Sequence, residues 1–132
     1  ELGTTMDLFP TFSALANVPM PKDRIMDGFD LSGTLFKNAS SPRKGVFYYR
    51  GTQLYAARLG DYKAHYITEG SYGQFGEKIV HPVPILYNLS VDPSENFDLG
   101  ASQPEIISEI NAMVKEHQSK LVKGKDQLMD IE

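Results

Sequence analysis

Apolar residues return at helical spacing near both ends of this chain and alternate with polar ones between them. Met6, Phe9, Phe12, Leu15 and Ala16 recur every three or four residues behind Thr4 and Thr5, residue types that cap helices, so the spacing predicts a helix over Met6 to Ala16. Pro10 falls near the end of its first turn and tightens or kinks the start. Asn17-Val18-Pro19-Met20-Pro21 ends it, because a residue preceding Pro is pushed out of the helical region. From Lys22 to Arg43 come Gly, Pro, Ser and Asp with isolated apolar residues, which predicts irregular chain wrapped around Phe29, Leu31, Leu35 and Phe36.

The middle is aromatic and alternating. Of seven Phe and seven Tyr, every Tyr and three Phe lie between Phe47 and Phe97, an enrichment that favours strands. Val46 to Arg50, Gln53 to Leu59 and Tyr62 to Thr68 are separated only by Gly51-Thr52 and Gly60-Asp61. Two-residue links with Gly first suit type II′ turns, so these runs predict an antiparallel meander. A loop from Glu69 to Pro84 follows, with three Gly and two Pro, and Ile85 to Leu89 supplies a fourth strand. Asp92 to Asn96 is turn chemistry. Ser102 with Glu105 reads as a capping box, Pro104 suits a first helical turn, and Ile106, Ile110, Met113, Val114, His117 and Leu121 mark one face of a helix from about Ser102 to Lys123, closed by Gly124. The expected class is α+β: a four-stranded antiparallel sheet packed against a C-terminal amphipathic helix, plus an N-terminal helix and an irregular wrapping segment.

Length and charge narrow the functional field. With 132 residues there is room for one domain. Thirteen Lys and Arg against seventeen Asp and Glu leave a net charge of −4 without a basic stripe, so nucleic acid is not an expected partner. No apolar run is long enough to span a bilayer, and no membrane partner is expected. The absence of Cys removes disulfides, thiolate metal sites and Cys nucleophiles together. Glu1-Leu2-Gly3-Thr4-Thr5 has neither an initiator Met nor a signal-peptide pattern, so a piece of a longer protein is expected.

Local motifs supply little chemistry. His65 alternates with Lys63 and Ile67 on a strand, His81 precedes Pro82 in the long loop, and His117 sits on the apolar helix face, where a packed role is expected. Asp92, Ser94, Asn96 and Asp98 alternate like the first ligands of a calcium loop, but Phe97 stands where Gly is needed and Gln103 where a bidentate Glu is needed. A solvated turn is the better account, and no metal ligands are assigned. No nucleophile elbow, phosphate-binding loop or zinc-protease motif is present.

Read as a string, Met6 to Ala16, Asp27-Gly28-Phe29-Asp30-Leu31, the run from Arg50 to Tyr66 containing Lys63-Ala64-His65, and Ile85 to Leu99 containing Leu86-Tyr87-Asn88-Leu89 and Asp92-Pro93-Ser94-Glu95 occur in an order that resembles the C-terminal part of a sulfatase. The similarity is greatest to the group containing N-acetylgalactosamine-6-sulfatase and arylsulfatase A. The resemblance implies a parent enzyme that hydrolyses sulfate esters of sugars or aryl compounds, in a periplasmic, secreted or lysosomal setting. It also implies a formylglycine made from a C/S-x-P-x-R motif and a calcium ion, both belonging to an upstream catalytic domain that would be this chain's partner. Ser40-Ser41-Pro42-Arg43-Lys44 puts Lys where that motif requires Arg and lacks the helix start the motif needs. The chain by itself is therefore expected to hold no catalytic residue and no cofactor, with residues 1–44 continuing the catalytic domain and 45–132 forming the C-terminal subdomain. The Phe9 and Phe12 face would then lack its partner, and is expected to be mobile or to find a surrogate contact.

Two functional classes stay open at this point: a noncatalytic piece of a sulfatase that helps complete the substrate pocket, and a free-standing α+β binding or interaction module. Several hundred upstream residues containing C/S-x-P-x-R would decide for the first. The sixteen-residue loop carries the functional expectation, since long irregular connections tend to be functional. Aromatic faces cover the apolar ring hydrogens of a sugar, and amide, imidazole and ammonium groups bond hydroxyls or draw an anion. His65, Tyr72, Gln74, Lys78 and His81 are accordingly the candidate substrate-rim residues.

Overall fold

In a computed structural model, which describes residues 1–70, 76–122 and 124, the alternating middle of the chain forms one antiparallel sheet. Its strands β1 (Gly45–Arg50), β2 (Gln53–Leu59), β3 (Tyr62–Thr68) and β4 (Ile79–Asn88) lie in sequence order, as a meander. Gly51 and Gly60 both have φ of +57° while Thr52 and Asp61 stay at negative φ, which suits type II′ turns and excludes type I′. Three helices complete the fold: α1 (Leu8–Leu15) behind a 3₁₀ turn at Thr5–Asp7, α2 (Ser32–Lys37) and α3 (Pro104–Lys120). None of these is long and apolar enough to cross a membrane.

Four boundaries differ from the sequence expectation. The wrapping segment is not wholly irregular, because Ser32–Lys37 closes into a short helix that Asn38 ends at φ +53°. The fourth strand begins at Ile79 rather than Ile85. Prolines 82 and 84 are tolerated because β4 is an edge strand and the register slips there, from His65↔Ile85 to Ile67↔Val80. The irregular connection is correspondingly shorter than Glu69 to Pro84. Finally, α3 starts at Pro104 and ends at Lys120, so the capping box is not made. Ser102 instead donates its hydroxyl to the Leu99 carbonyl at 3.0 Å.

Side chains of Ala57, Ala64 and Leu86 from the sheet meet Ile107, Ile110 and Val114 of α3 in the core. The two alanines leave room for the helix to lie close, and Tyr66 donates from the sheet to Asn111 of α3 at 2.8 Å. Gly45 belongs to the same contact, since a Cβ there would stand 2.5 Å from the Met113 sulfur. His117 packs as expected, its ring stacked on Phe47 at 3.9 Å with Nε2 3.0 Å from the Tyr49 hydroxyl.

Within residues 1–44 a buried ion pair ties the first helical segment to the chain just before β1. Asp7 is 1% exposed and Arg43 7% exposed, and the guanidinium donates to both carboxylate oxygens at 2.6 and 2.8 Å. The same carboxylate accepts the Thr4 N–H at 2.7 Å, the Thr4 hydroxyl at 3.0 Å and the Phe29 N–H at 2.8 Å. Arg43 also donates to the Asp27 carbonyl and lies over the Phe29 ring. The guanidinium holds the Asp7 carboxyl well below the usual carboxylate range against the opposing effect of burial. Thr11 extends the network, donating to the Asp7 carbonyl at 2.6 Å and accepting the Leu31 N–H at 2.9 Å. The consequence for α1 is an inversion: Asp7, Pro10, Thr11 and Ser13 are buried while Leu8, Phe9, Phe12 and Leu15 are exposed. No surrogate cover for the Phe9 and Phe12 face exists among the described residues.

Candidate substrate-facing site

Period-two alternation along β3 turns Tyr62, Ala64 and Tyr66 toward α3 and Lys63, His65 and Ile67 toward the opposite face. A bulge assists on β2. Tyr48 pairs with Ala56 and Tyr49 with Leu54, so Tyr55 is the extra residue. Leu54 keeps its place in the core, while Tyr55 and Ala56 join Tyr48, Lys63, His65, Ile67, Thr68 and Glu69 around an open hollow of about 270 Å³.

Two linked polar groups organise this hollow. In the first, Glu95 accepts from Lys63 at 2.7 Å and places its other oxygen 2.8 Å from His65 Nε2, although that buried nitrogen has no aligned hydrogen-bond partner. Lys63 Nζ also lies 5.0 Å from the Tyr48 ring centre, and Tyr87 meets the imidazole edge-on at 5.7 Å. Burial, helped by the Lys63 charge and opposed by Glu95, lowers the His65 pKa and keeps the ring neutral at neutral pH. In the second group Glu69 accepts from the Tyr55 hydroxyl at 2.6 Å and from Arg50 at 2.9 Å. That hydrogen bond raises the Tyr55 pKa and lowers that of Glu69.

Of the five sequence-selected residues, one lines the hollow and two touch residues of its wall. His65 is in the wall, and His81 stands beside it with Nε2 2.8 Å from the Thr68 hydroxyl. Lys78 donates to Gln53 Oε1 and lies 5.7 Å from the Tyr55 ring centre. Tyr72 and Gln74 lie outside the described residues. Glu95, Lys63, Tyr55 and Glu69 were not selected from sequence, yet a signal existed: Glu95 ends the Asp92-Pro93-Ser94-Glu95 string, and Lys63 and His65 belong to Lys63-Ala64-His65. The fold brings these two strings into contact.

The hollow offers aromatic faces, a neutral imidazole and ammonium groups, a set that can hold a polyhydroxyl ring bearing a negative charge. Lys63 and Arg50 are each matched by a carboxylate, whereas the partner of Lys78 is a neutral amide.

Calcium does not suit Asp92 or Asp98. Asp92 accepts the Asn96 and Phe97 N–H groups and Asp98 accepts those of Leu86 and Gly100, so both are committed to backbone. Among the described residues no three His, Asp or Glu side chains converge as metal ligands. Nor does Ser40 occupy a formylglycine-like position, because β1 rather than a helix follows it and Lys44 turns back onto the Ser41 carbonyl.

Comparison with known proteins agrees with this architecture. Residues 41–132 match the family described as the C-terminal region of aryl-sulfatase. Arylsulfatase A of Homo sapiens is 33% identical over 99% of this chain and 31% of its own length. For N-acetylgalactosamine-6-sulfatase of Mus musculus the identity is 37%, over 97% of this chain and 29% of the relative. Among solved structures, the PsFucS1 sulfatase from Pseudoalteromonas sp. superposes with a TM-score of 0.72 at 24% identity, covering 86% of this chain and 25% of that one. The chain thus spans less than a third of the length of these relatives, and by its family match, its identities and its shared fold it belongs to the sulfatases, as their C-terminal region.

Proposed function

We propose that this chain is the C-terminal subdomain of an enzyme that hydrolyses sulfate esters, itself noncatalytic, and that its open sheet face forms part of the substrate rim. Residues 1–44 belong on this reading to the sulfate-cleaving domain and 45–132 to the subdomain. The formylglycine and calcium of that chemistry reside on this reading in the rest of the polypeptide, since Ser40 does not suit the first, nor Asp92 and Asp98 the second. Its partners are that domain and, through the rim, a sulfated saccharide, a substrate class named for relatives such as N-acetylgalactosamine-6-sulfatase.

The observation that carries the rim is a hollow lined by His65, with His81 bonded to the Thr68 hydroxyl of its wall and Lys78 beside the Tyr55 ring. Imidazole groups bond hydroxyls, Tyr faces cover the ring and Lys78 draws the anion. The test uses the full-length enzyme with two substrates. Tyr72→Ala, Lys78→Met and His81→Ala should each lower kcat/KM for a sulfated saccharide about tenfold, the worth of roughly 1.4 kcal/mol of lost polar contact, and leave a small aryl sulfate unaffected. Equal effects on both substrates would remove the rim role. Noncatalysis is checked with the purified chain: turnover of an aryl sulfate that disappears when one of its own residues is changed would overturn it.

A further inference from the structure

We infer that the hollow on the open sheet face is a proton-linked anion site, in which uptake of a proton by His65 leaves a positive charge free for an oxyanion group of the ligand. The ligand class rests on the rim reading above, and the linkage between proton and anion goes beyond it. Three side chains build the device. Glu95 accepts from Lys63 at 2.7 Å through Oε1 and sets Oε2 2.8 Å from His65 Nε2, and the Lys63 and His65 side chains are 17% and 18% exposed. Lys63 and His65 stand two residues apart on β3, so alternation turns both into the hollow.

One carboxylate neutralises one cation. At neutral pH that cation is Lys63, because burial keeps the His65 ring uncharged, and the three groups together are neutral. Protonated His65 is a second cation beside the same carboxylate, and the three groups then carry one net positive charge. The surroundings do not cancel it. From β4, Tyr87 meets the ring edge-on and His81 contributes repulsion rather than a counter-charge. From β1 and β2 come Tyr48 and Tyr55, and Arg50 and Glu69 match each other. The carboxylates of Asp92 and Asp98 are spent on backbone N–H groups, and Lys78, bonded to a neutral amide, brings no negative charge.

The hollow also has the room and the donors. Its volume of about 270 Å³ is several times that of one water. His65 Nε2 is buried without an aligned acceptor, so a proton there supplies the charge that its close approach to Glu95 lacks. A sulfate group fits the result, since its oxygens accept from an ammonium and an imidazolium together. Linkage is reciprocal: the anion favours the proton by the same factor as the proton favours the anion.

Imidazole NMR of the 132-residue chain tests this, with inorganic sulfate as the probe and sodium chloride at equal ionic strength as the control. The three rings titrate separately, and His117, stacked on Phe47 on the α3 side of the sheet, is the internal reference. Saturating sulfate should raise the His65 pKa by about one unit over chloride, the equivalent of about tenfold tighter sulfate binding to the protonated site, and leave His117 in place. Lys63→Met should abolish that rise, and Lys63→Arg, which keeps the charge, should retain it. Glu95→Gln should let sulfate bind even where His65 is neutral, because Lys63 then lacks its carboxylate. An equal His65 pKa in the two salts overturns the inference, as does a rise that survives Lys63→Met or one that His117 shares. If the rise is present while the rim substitutions in the full-length enzyme affect both substrates equally, the rim role alone is lost; if those substitutions discriminate and the rise is absent, the proton-linked site alone is lost.

Discussion

Replacing Arg43 with Met would strand the Asp7 carboxylate, 1% exposed, without the guanidinium it now meets through two hydrogen bonds. Removing one member of a buried pair costs about 3 to 5 kcal/mol. The Thr4 N–H, Thr4 hydroxyl and Phe29 N–H would still reach the carboxylate, which places the expected loss at the low end, about 3 kcal/mol. For a chain of this length that corresponds to a fall in Tm of about 10 to 15 °C if unfolding is cooperative. The pair joins the Thr5–Leu15 segment to the chain just before β1 and lies outside the sheet core, so opening should begin there. Amide exchange should show it first as lost protection at Phe29, whose N–H bonds Asp7, while β2 and β3 amides stay protected. The double variant Asp7→Leu with Arg43→Met removes both charges and should recover about 2 kcal/mol relative to Arg43→Met, because an apolar pair tolerates the site better than one unmatched charge. Urea denaturation of the four members of the cycle measures this. An Arg43→Met variant within about 0.5 kcal/mol of the parent, or a double variant as unstable as the sum of the singles, would show that the pair carries no such energy.

The same carboxylate sets a pH dependence: with its folded pKa depressed, its contribution is fully present above the ordinary aspartate range and is lost as pH falls through and below that range, so urea melts between pH 7 and 3 should show a steeper acid loss for the parent than for Asp7→Leu. His65 has the opposite consequence for a base: the unfolded chain takes the proton first, so stability should decline as pH falls through about 6.5. Lys63→Met should raise the His65 pKa and Glu95→Gln should lower it, and imidazole NMR titrations moving in other directions would contradict the assigned neighbours. Ile110→Asp puts a carboxylate at a fully buried position facing Ala57, Ala64 and Leu86, and should unfold the chain, whereas Ile110→Val should cost only about 0.5 to 1.5 kcal/mol; an unchanged Tm for the Asp variant would refute the packing of α3. Gly28→Ala should cost roughly 1 to 3 kcal/mol, since the Cβ meets the Met6 backbone, and a neutral melt would show that the two segments are not in contact.

Much of the fold was legible along the chain because its signals are local. Alternation and Gly-first links determine β1, β2, β3 and their order without reference to anything distant, and the apolar period determines that α1 and α3 are helices. The family was legible too, from strings that survive in order. Of the site, His65, Lys78 and His81 could be selected by residue type, but neither the hollow nor Glu95 could. Tertiary structure decided what depends on partners far away in sequence. Pairing with Ile67 and Thr68 begins β4 at Ile79 despite two prolines, because an edge strand can slip its register where an inner strand cannot. Thirty-six residues separate Asp7 from Arg43, and thirty-two separate Lys63 from Glu95, so spacing along the chain carries no trace of either pair. Periodicity likewise shows that α1 has an apolar face without showing which face is covered. Here the long-range ion pair wins over the apolar stripe, because an unmatched buried charge costs more than a few exposed side chains.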